Sequence, residues 1–313
     1  MFLKNMLLAG EQVIILYLIA AVGFVADKVG FFPEKTAKNC TDLLFYIVTP
    51  AVIVESFLNL EYNSETIKGL FIALGCGFLL HGLCVVMAPL LFRRCPNKEK
   101  AAIFRYASCY GNCGYMGLPL ASALFGSEGV FYCSAIVISF QIFSFTHGIY
   151  IMTKGMEGKQ KFDLKKLILN PGIISVAIGM PLFLLEVEMP RMVLSPISYV
   201  ASLNSPLAML IFGTYIANTS FKSIFKEWRI YCVAAIKLLV TPAILLVLFK
   251  LFGISGVLLG SVMVPASAPS ASNTALFAAK YGRDRGLASQ TVAIVSFISI
   301  ITMPIMIAVA QMA

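Results

Sequence analysis

Residues 108–126 read SCYGNCGYMGLPLASALFG, a run apolar enough for a helix in lipid yet hostile to a regular one. Gly111, Gly114, Gly117 and Pro119 fall within nine residues of it. Proline removes an intrahelical hydrogen bond, and glycine admits strained backbone and close approach. A second stretch of this kind, GSVMVPASAPSASNTALFAAKYG at 260–282, carries Pro265, Pro269 and a series of small polar side chains. Asn112 and Asn273 lie inside these stretches and offer amide donors and acceptors at membrane depth. Small residues alone would be read as close helix packing, as for the lone Gly256/Gly260 pair. Two matched breaks point instead to a binding site built on exposed backbone dipoles.

The rest of the chain fits a membrane setting. Of 313 residues, 59% are hydrophobic and 12% charged, with a mean hydropathy of +0.88. A soluble domain carries about twice that share of charge, so a water-soluble enzyme, a disordered chain and a fibrous protein are all disfavoured. A helix needs about 20 predominantly apolar residues to span a bilayer. Ten segments qualify: 12–26, 43–60, 69–92, 101–125, 130–152, 168–186, 194–217, 229–252, 255–279 and 286–311. The expected fold is therefore an all-α polytopic membrane protein, one domain over 1–313. The N-terminal run, interrupted by Glu11, reads as a retained first helix and not a cleaved leader. Eight cysteines form no C-x-x-C pair and six lie in apolar segments, so no metal site or cofactor is expected.

The basic residues report orientation. Nineteen of the 24 Lys and Arg residues fall in alternate loops, the groups beginning at Lys28, Arg93, Lys154, Lys222 and Lys280. Lys4, Lys68, Arg191 and Lys250 fall on the opposite side, and Lys237 alone lies within a span. Positive loops favour the cytoplasm, which puts both termini outside the cytoplasmic membrane. The net charge of +9 is thus scattered, unlike a nucleic-acid groove.

A shift of 156 positions brings Thr49-Pro50 onto Ser205-Pro206, His81 onto Lys237 and Gly126 onto Gly282. Ten spans then divide into two fives, repeat one at 1–153 and repeat two at 168–313, joined by a cytoplasmic linker at 154–167. An odd number of spans inverts the second copy, and inverted repeats are the common architecture of secondary transporters.

The stretch Asn112-Cys113-Gly114-Tyr115-Met116-Gly117-Leu118-Pro119 resembles the N-x-x-x-M-G-[IL]-P motif of the auxin efflux carrier family. Residues 275–282, ALFAAKYG, are similar to that family's ninth-helix counterpart, and the resemblance covers essentially the whole chain. It implies the fold of plant PIN exporters and, more distantly, of bile acid sodium symporters. There the broken fourth and ninth helices cross, and an organic anion sits beside the crossing. It also implies an elevator motion, with helices three to five and eight to ten moving past helices one, two, six and seven. Two departures stand out: Gly111 replaces the proline that plant carriers have before the motif, and no long loop separates the halves. The short loop resembles the bacterial branch, which includes malate and malonate permeases.

The candidate substrate-binding set is Gly111, Asn112, Tyr115, Pro119, Pro265, Pro269, Ser272, Asn273 and Lys237. A cation at membrane depth costs about 2.5–3.5 kcal/mol on insertion scales, so Lys237 either attracts an anionic substrate or snorkels or pairs with a buried carboxylate. His81 is either proton-linked or a hydrogen-bonded packing residue. Glu55, Asp27, Asp42 and His147 read as solvated groups near the helix ends. The leading function is a secondary carrier or facilitator of small organic anions such as malate, malonate or auxin-like acids. A carrier-like membrane sensor is the alternative. An intramembrane enzyme lacks H-E-x-x-H, G-x-S-x-G and a supply of imidazoles beyond His81 and His147. Coupling to H+ or Na+ and a homodimer are both compatible with the sequence. Single-cysteine labelling should find 154–166 protected from membrane-impermeant reagents added outside intact cells; labelling there reverses the topology.

Overall fold

The computed structural model describes residues 2–155, 169–219 and 227–312, so most of the expected linker at 154–167 lies outside the described residues. In chain order the helices are α1 (Phe2–Lys28), α2 (Glu34–Leu58), α3 (Ser64–Met87), α4 (Lys98–Cys109), α5 (Cys113–Thr153) and α6 (Pro171–Leu184). There follow α7 (Arg191–Ala217), α8 (Arg229–Leu251), α9 (Gly256–Ser267), α10 (Asn273–Lys280) and α11 (Arg285–Met312). The described residues are all-helical, with no β-strand beyond one isolated bridge. Seven helices are long and apolar enough to cross a membrane: α1, α2, α3, α5, α7, α8 and α11.

The difference from ten expected spans has local causes. The stretch 101–125 is divided at 110–112 between α4 and the start of α5. Helix α5 then continues to Thr153 through a kink at Gly126 (φ 61°, ψ −147°), a backbone conformation open to glycine. The stretch 255–279 is divided into α9 and α10, 12 and 8 residues long. Helix α6 begins at the Asn170 cap and the Pro171 that follows, leaving 14 residues, or about 21 Å at 1.5 Å per residue.

Proline follows three of the four widened turns in the described helices, the exception being Ser144–Gly148. Leu44–Val48 in α2, Cys113–Gly117 in α5 and Ile236–Val240 in α8 are wide π-type turns. Each is followed by an X-Pro pair, namely Thr49-Pro50, Leu118-Pro119 and Thr241-Pro242. A proline ring collides with the carbonyl four residues back and supplies no N–H, and one widened turn relieves both problems without ending the helix.

Helix α1 packs between α7 and α11, α3 against α5, α2 against α6, and α9 against α5 and α11. The apolar pattern is the reverse of a soluble protein's. In α1, Ala9, Val13 and Ala20 are buried, whereas Leu3, Leu7, Leu18 and Val22 are exposed. Small residues let backbones approach while large ones meet lipid. A close approach of α1 to α7 depends on two glycines: a Cβ on Gly23 would sit 2.3 Å from Leu210 O, and one on Gly213 1.9 Å from Ala20 O.

Polar contacts gather the basic loops. Lys28 donates to Ala217 O, Lys100 and Arg229 both pair with Glu227, and Arg283 bonds Met152 O, Lys154 O and the Glu99 carboxylate. Arg285 pairs with Glu34. Burial works to raise the Glu227 carboxyl, but hydrogen bonds from Lys100 and Arg229 outweigh it and hold the pKa below its ordinary value. The described parts of the five basic loops are thus linked to one another.

Gly213→Ala should destabilise the protein in detergent by about 3 kcal/mol or more, the upper range for overpacking, read as a fall in thermal midpoint. Gly75→Ala, where the added Cβ meets nothing within 4 Å, should not lower it.

Candidate functional site

The two interruptions meet. Asn112 N–H donates to Pro269 O at 2.7 Å and Ala271 N–H donates to Tyr110 O at 2.9 Å, giving an antiparallel bridge at Gly111 and Ser270. Each unwound segment therefore satisfies part of the backbone that the other leaves open. In addition, the Ser270 hydroxyl donates to Ala107 O at 2.7 Å, reaching from the second break to a carbonyl at the end of α4. Cys84 Sγ lies 3.3 Å from the carbonyl of Cys109, the last residue of α4. The carbonyls of Ala107, Cys109 and Tyr110 at the α4 terminus thereby find partners, while that of Tyr106 accepts from Tyr110 N–H in the helix's own last turn.

Asn112 then restarts the chain as a helix. Its side-chain Oδ1 accepts from Tyr115 N–H at 3.3 Å, while its backbone carbonyl accepts from Met116 and Gly117. The residue is 4% exposed, and its amide Nδ2 has no partner among the described residues. A buried donor left unpaired costs about 1–3 kcal/mol, so a water or a ligand acceptor is expected there. Tyr115 is partly buried, and Pro119 is buried in the first turn after the wide turn.

Lys237 stands on the other side of Gly111. It is 1% exposed, and Nζ donates to Ala266 O at 3.1 Å, at the C-terminal end of α9. A Cβ on Gly111 would lie 2.9 Å from Lys237 Nζ and 3.2 Å from Pro265 O. Glycine at 111 is what allows the ammonium to lie against the bridge. Neither of the two structural roles expected for Lys237, snorkelling or pairing with a carboxylate, describes this arrangement. The head is buried, and it forms no ion pair among the described residues. Its partner is the negative end of a helix dipole.

The structure therefore brings Gly111, Asn112, Lys237, Pro265 and Pro269 into one cluster. Ser272 and Asn273, at the start of α10, are only half-buried, and the Ser272 hydroxyl makes no capping bond. His81 is 1% exposed, with Nδ1 shared between Gly77 O at 2.8 Å and Ser139 Oγ at 3.0 Å. Its ring stacks near Tyr110 and Phe143, and Nε2 is unpaired among the described residues. His147 is half-buried and within 2.9 Å of the Tyr110 hydroxyl, so it is tied to the break where the sequence reads a solvated group. Three residues that the sequence does not single out also belong here: Ser270 bridges the breaks, and the hydroxyls of Ser108 and Thr274 are buried without partners among the described residues. A run of small polar residues gives no sign of which members face inward.

A polar hollow of about 260 Å³ lies near the segment that follows the first break. Glu55, Ser122, Ser127, Ser198, Ser202 and Asn204 line it, from α2, α5 and α7. Ser122 is three residues beyond Pro119, and the buried Asn204 Oδ1 has no partner among the described residues.

Comparison with known proteins places these observations in a family. The profile described as "Membrane transport protein" matches residues 8–307. An uncharacterized transporter of Methanocaldococcus jannaschii is 24% identical over 301 residues, 93% of this chain and 95% of the relative. A Rhizobium meliloti protein described as "Putative malonate transporter" is 24% identical over 288 residues, 90% of this chain and 89% of the relative. An uncharacterized transporter of Methanothermobacter thermautotrophicus is 20% identical over 302 residues, 94% of this chain and 96% of the relative.

Gly111→Ala should destabilise the protein by about 1–3 kcal/mol through overpacking, and less in a Lys237→Ala background, where the obstructing ammonium is gone. Thermal unfolding of the two single variants and the double variant measures this coupling; full additivity would remove the contact from consideration.

Proposed function

The chain belongs to the membrane transport protein family, the auxin efflux carrier group that its Asn112–Pro119 motif resembles, and on that premise we propose that it is a secondary carrier of small organic anions. The observation that carries this reading is the unmatched charge of Lys237. An ammonium has three donors, this one makes a single hydrogen bond among the described residues, to a carbonyl, and it has no ion pair among them. A buried charge is tolerated when paired and hydrogen-bonded, and a carboxylate arriving beside the bridge supplies the missing pair. The unpaired Asn112 amide adds a second donor within the same cluster.

In this reading the substrate lies against Gly111, Asn112, Tyr115 and Pro119 on one side and Pro265, Pro269, Ser272 and Asn273 on the other. Lys237 provides field from behind Gly111. The hydroxyl-lined hollow between α2, α5 and α7 is the aqueous approach. The ten sequence spans form two inverted five-helix repeats with external termini. The body containing both breaks moves past α1, α2, α6 and α7 in an elevator motion. The name of the Rhizobium relative favours malonate and related dicarboxylates within the anion class.

Counterflow in proteoliposomes, with malonate, malate and an indole-type monocarboxylate as labelled probes, tests the reading directly. Saturable exchange of at least one acid is expected; none from folded protein overturns it. Asn112→Ala and Asn273→Ala should lower exchange with normal membrane expression, and Asn112 should show the larger loss because its amide is the more buried.

A further inference from the structure

We propose that the ammonium of Lys237 is a built-in substitute for an alkali-metal coupling ion, held where the carbonyls at the end of a broken helix would otherwise coordinate a free cation. This deepens the carrier reading and rests on it for its transport arm.

The starting point is the C-terminus of α9. A helix that ends inside a membrane presents unpaired carbonyls and about half a unit of negative charge. In carriers with interrupted helices, such ends and the adjoining unwound carbonyls are where sodium or a proton is held. Five of the carbonyls between Met263 and Pro269 have the following partners. Met263 O and Val264 O accept from the Ser267 hydroxyl at 2.8 and 3.2 Å. Pro265 O accepts from Ala268 N–H at 3.3 Å, and Pro269 O from Asn112 N–H. Ala266 O receives Lys237 Nζ at 3.1 Å.

The cation at this helix end thus arrives on the protein's own side chain. It reaches the site from the wide turn Ile236–Val240 of α8. It is enclosed: Lys237 is 1% exposed, and the backbone of Gly111 closes over Nζ so tightly that even a methyl group would lie 2.9 Å away. A metal ion and an ammonium in that space would repel one another at short range, with little water to screen them. An anion bound nearby obtains its counter-charge from a residue that never dissociates, so binding requires no co-transported metal ion.

The proposal concerns the ion and not the acid, and two readouts keep them apart. The first is counterflow of the acid that the intact protein exchanges, in sodium medium and in N-methyl-D-glucamine medium. The intact protein should exchange equally in both. Lys237→Ala should lose about tenfold in N-methyl-D-glucamine, equivalent to about 1.4 kcal/mol of lost stabilisation. Sodium or methylammonium, small enough for the vacated space, should restore much of that loss. Lys237→Gln keeps a donor for Ala266 O and drops the charge. It should also lose about tenfold relative to the intact protein without sodium, and it carries the test where Lys237→Ala fails to fold.

The second readout is the thermal midpoint of purified protein without any organic acid. It should rise with sodium or methylammonium in Lys237→Ala and stay constant in the intact protein, because a ligand that binds only the folded state stabilises it. Sodium-dependent exchange by the intact protein overturns the proposal. So does folded Lys237→Ala that gains neither stability nor flux from a small cation, or full exchange by Lys237→Gln without sodium. Absence of any acid exchange by the intact protein sinks the carrier reading alone, and the thermal measurement still decides the cation.

Discussion

A peptide group in hydrocarbon has no water to turn to, and the whole centre of this protein follows from that constraint. Unpaired backbone groups cost several kcal/mol each in lipid, so a helix interrupted at membrane depth must find partners for what it exposes. Two interrupted helices solve the problem by bonding to one another: Asn112 to Pro269, Ala271 to Tyr110, and the Ser270 hydroxyl to Ala107. Neither break is self-sufficient. The bridge between Gly111 and Ser270 is therefore both a structural joint and the reason that irregular backbone can exist there.

Charge is distributed with the same economy. In the loops, Lys28, Lys100, Arg283 and Arg285 are tied to carboxylates or carbonyls of neighbouring loops, where exposed ion pairs contribute little stability. Lys237 is different in kind, since it lies deep among the helices and its bond is to the end of a dipole. Removing it would leave Ala266 O unpaired as well as deleting a charge. Its placement depends on an absent side chain at Gly111, so one glycine joins the backbone geometry of the first break to the electrostatics of the second.

The breaks were legible because their cause is local: Gly111, Pro119, Pro265 and Pro269 act on their own turns. Membrane character and helical class were equally plain from hydropathy. That the breaks pair was much harder to read, because backbone hydrogen bonds look the same at every residue. For that reason the sequence gives no sign of the carbonyl that Lys237 meets. The join between the fourth and fifth expected spans is equally hidden, since Gly126 can end a helix or bend one. His147 reads as solvated from its nearness to a helix end, whereas its environment is set by Tyr110, 37 residues earlier.

An ammonium that belongs to α8 goes wherever α8 goes, and this gives the membrane potential something to act on. If the body containing Lys237 crosses the field with its site empty, it carries one positive charge. With a monovalent anion bound it carries none, and with a divalent one it carries a single negative charge. Each unit moved through 100 mV is worth about 2.3 kcal/mol. A tethered cation would then make voltage a directional bias, with the empty carrier drawn toward the negative side and the return of the loaded one set by the valence of its cargo.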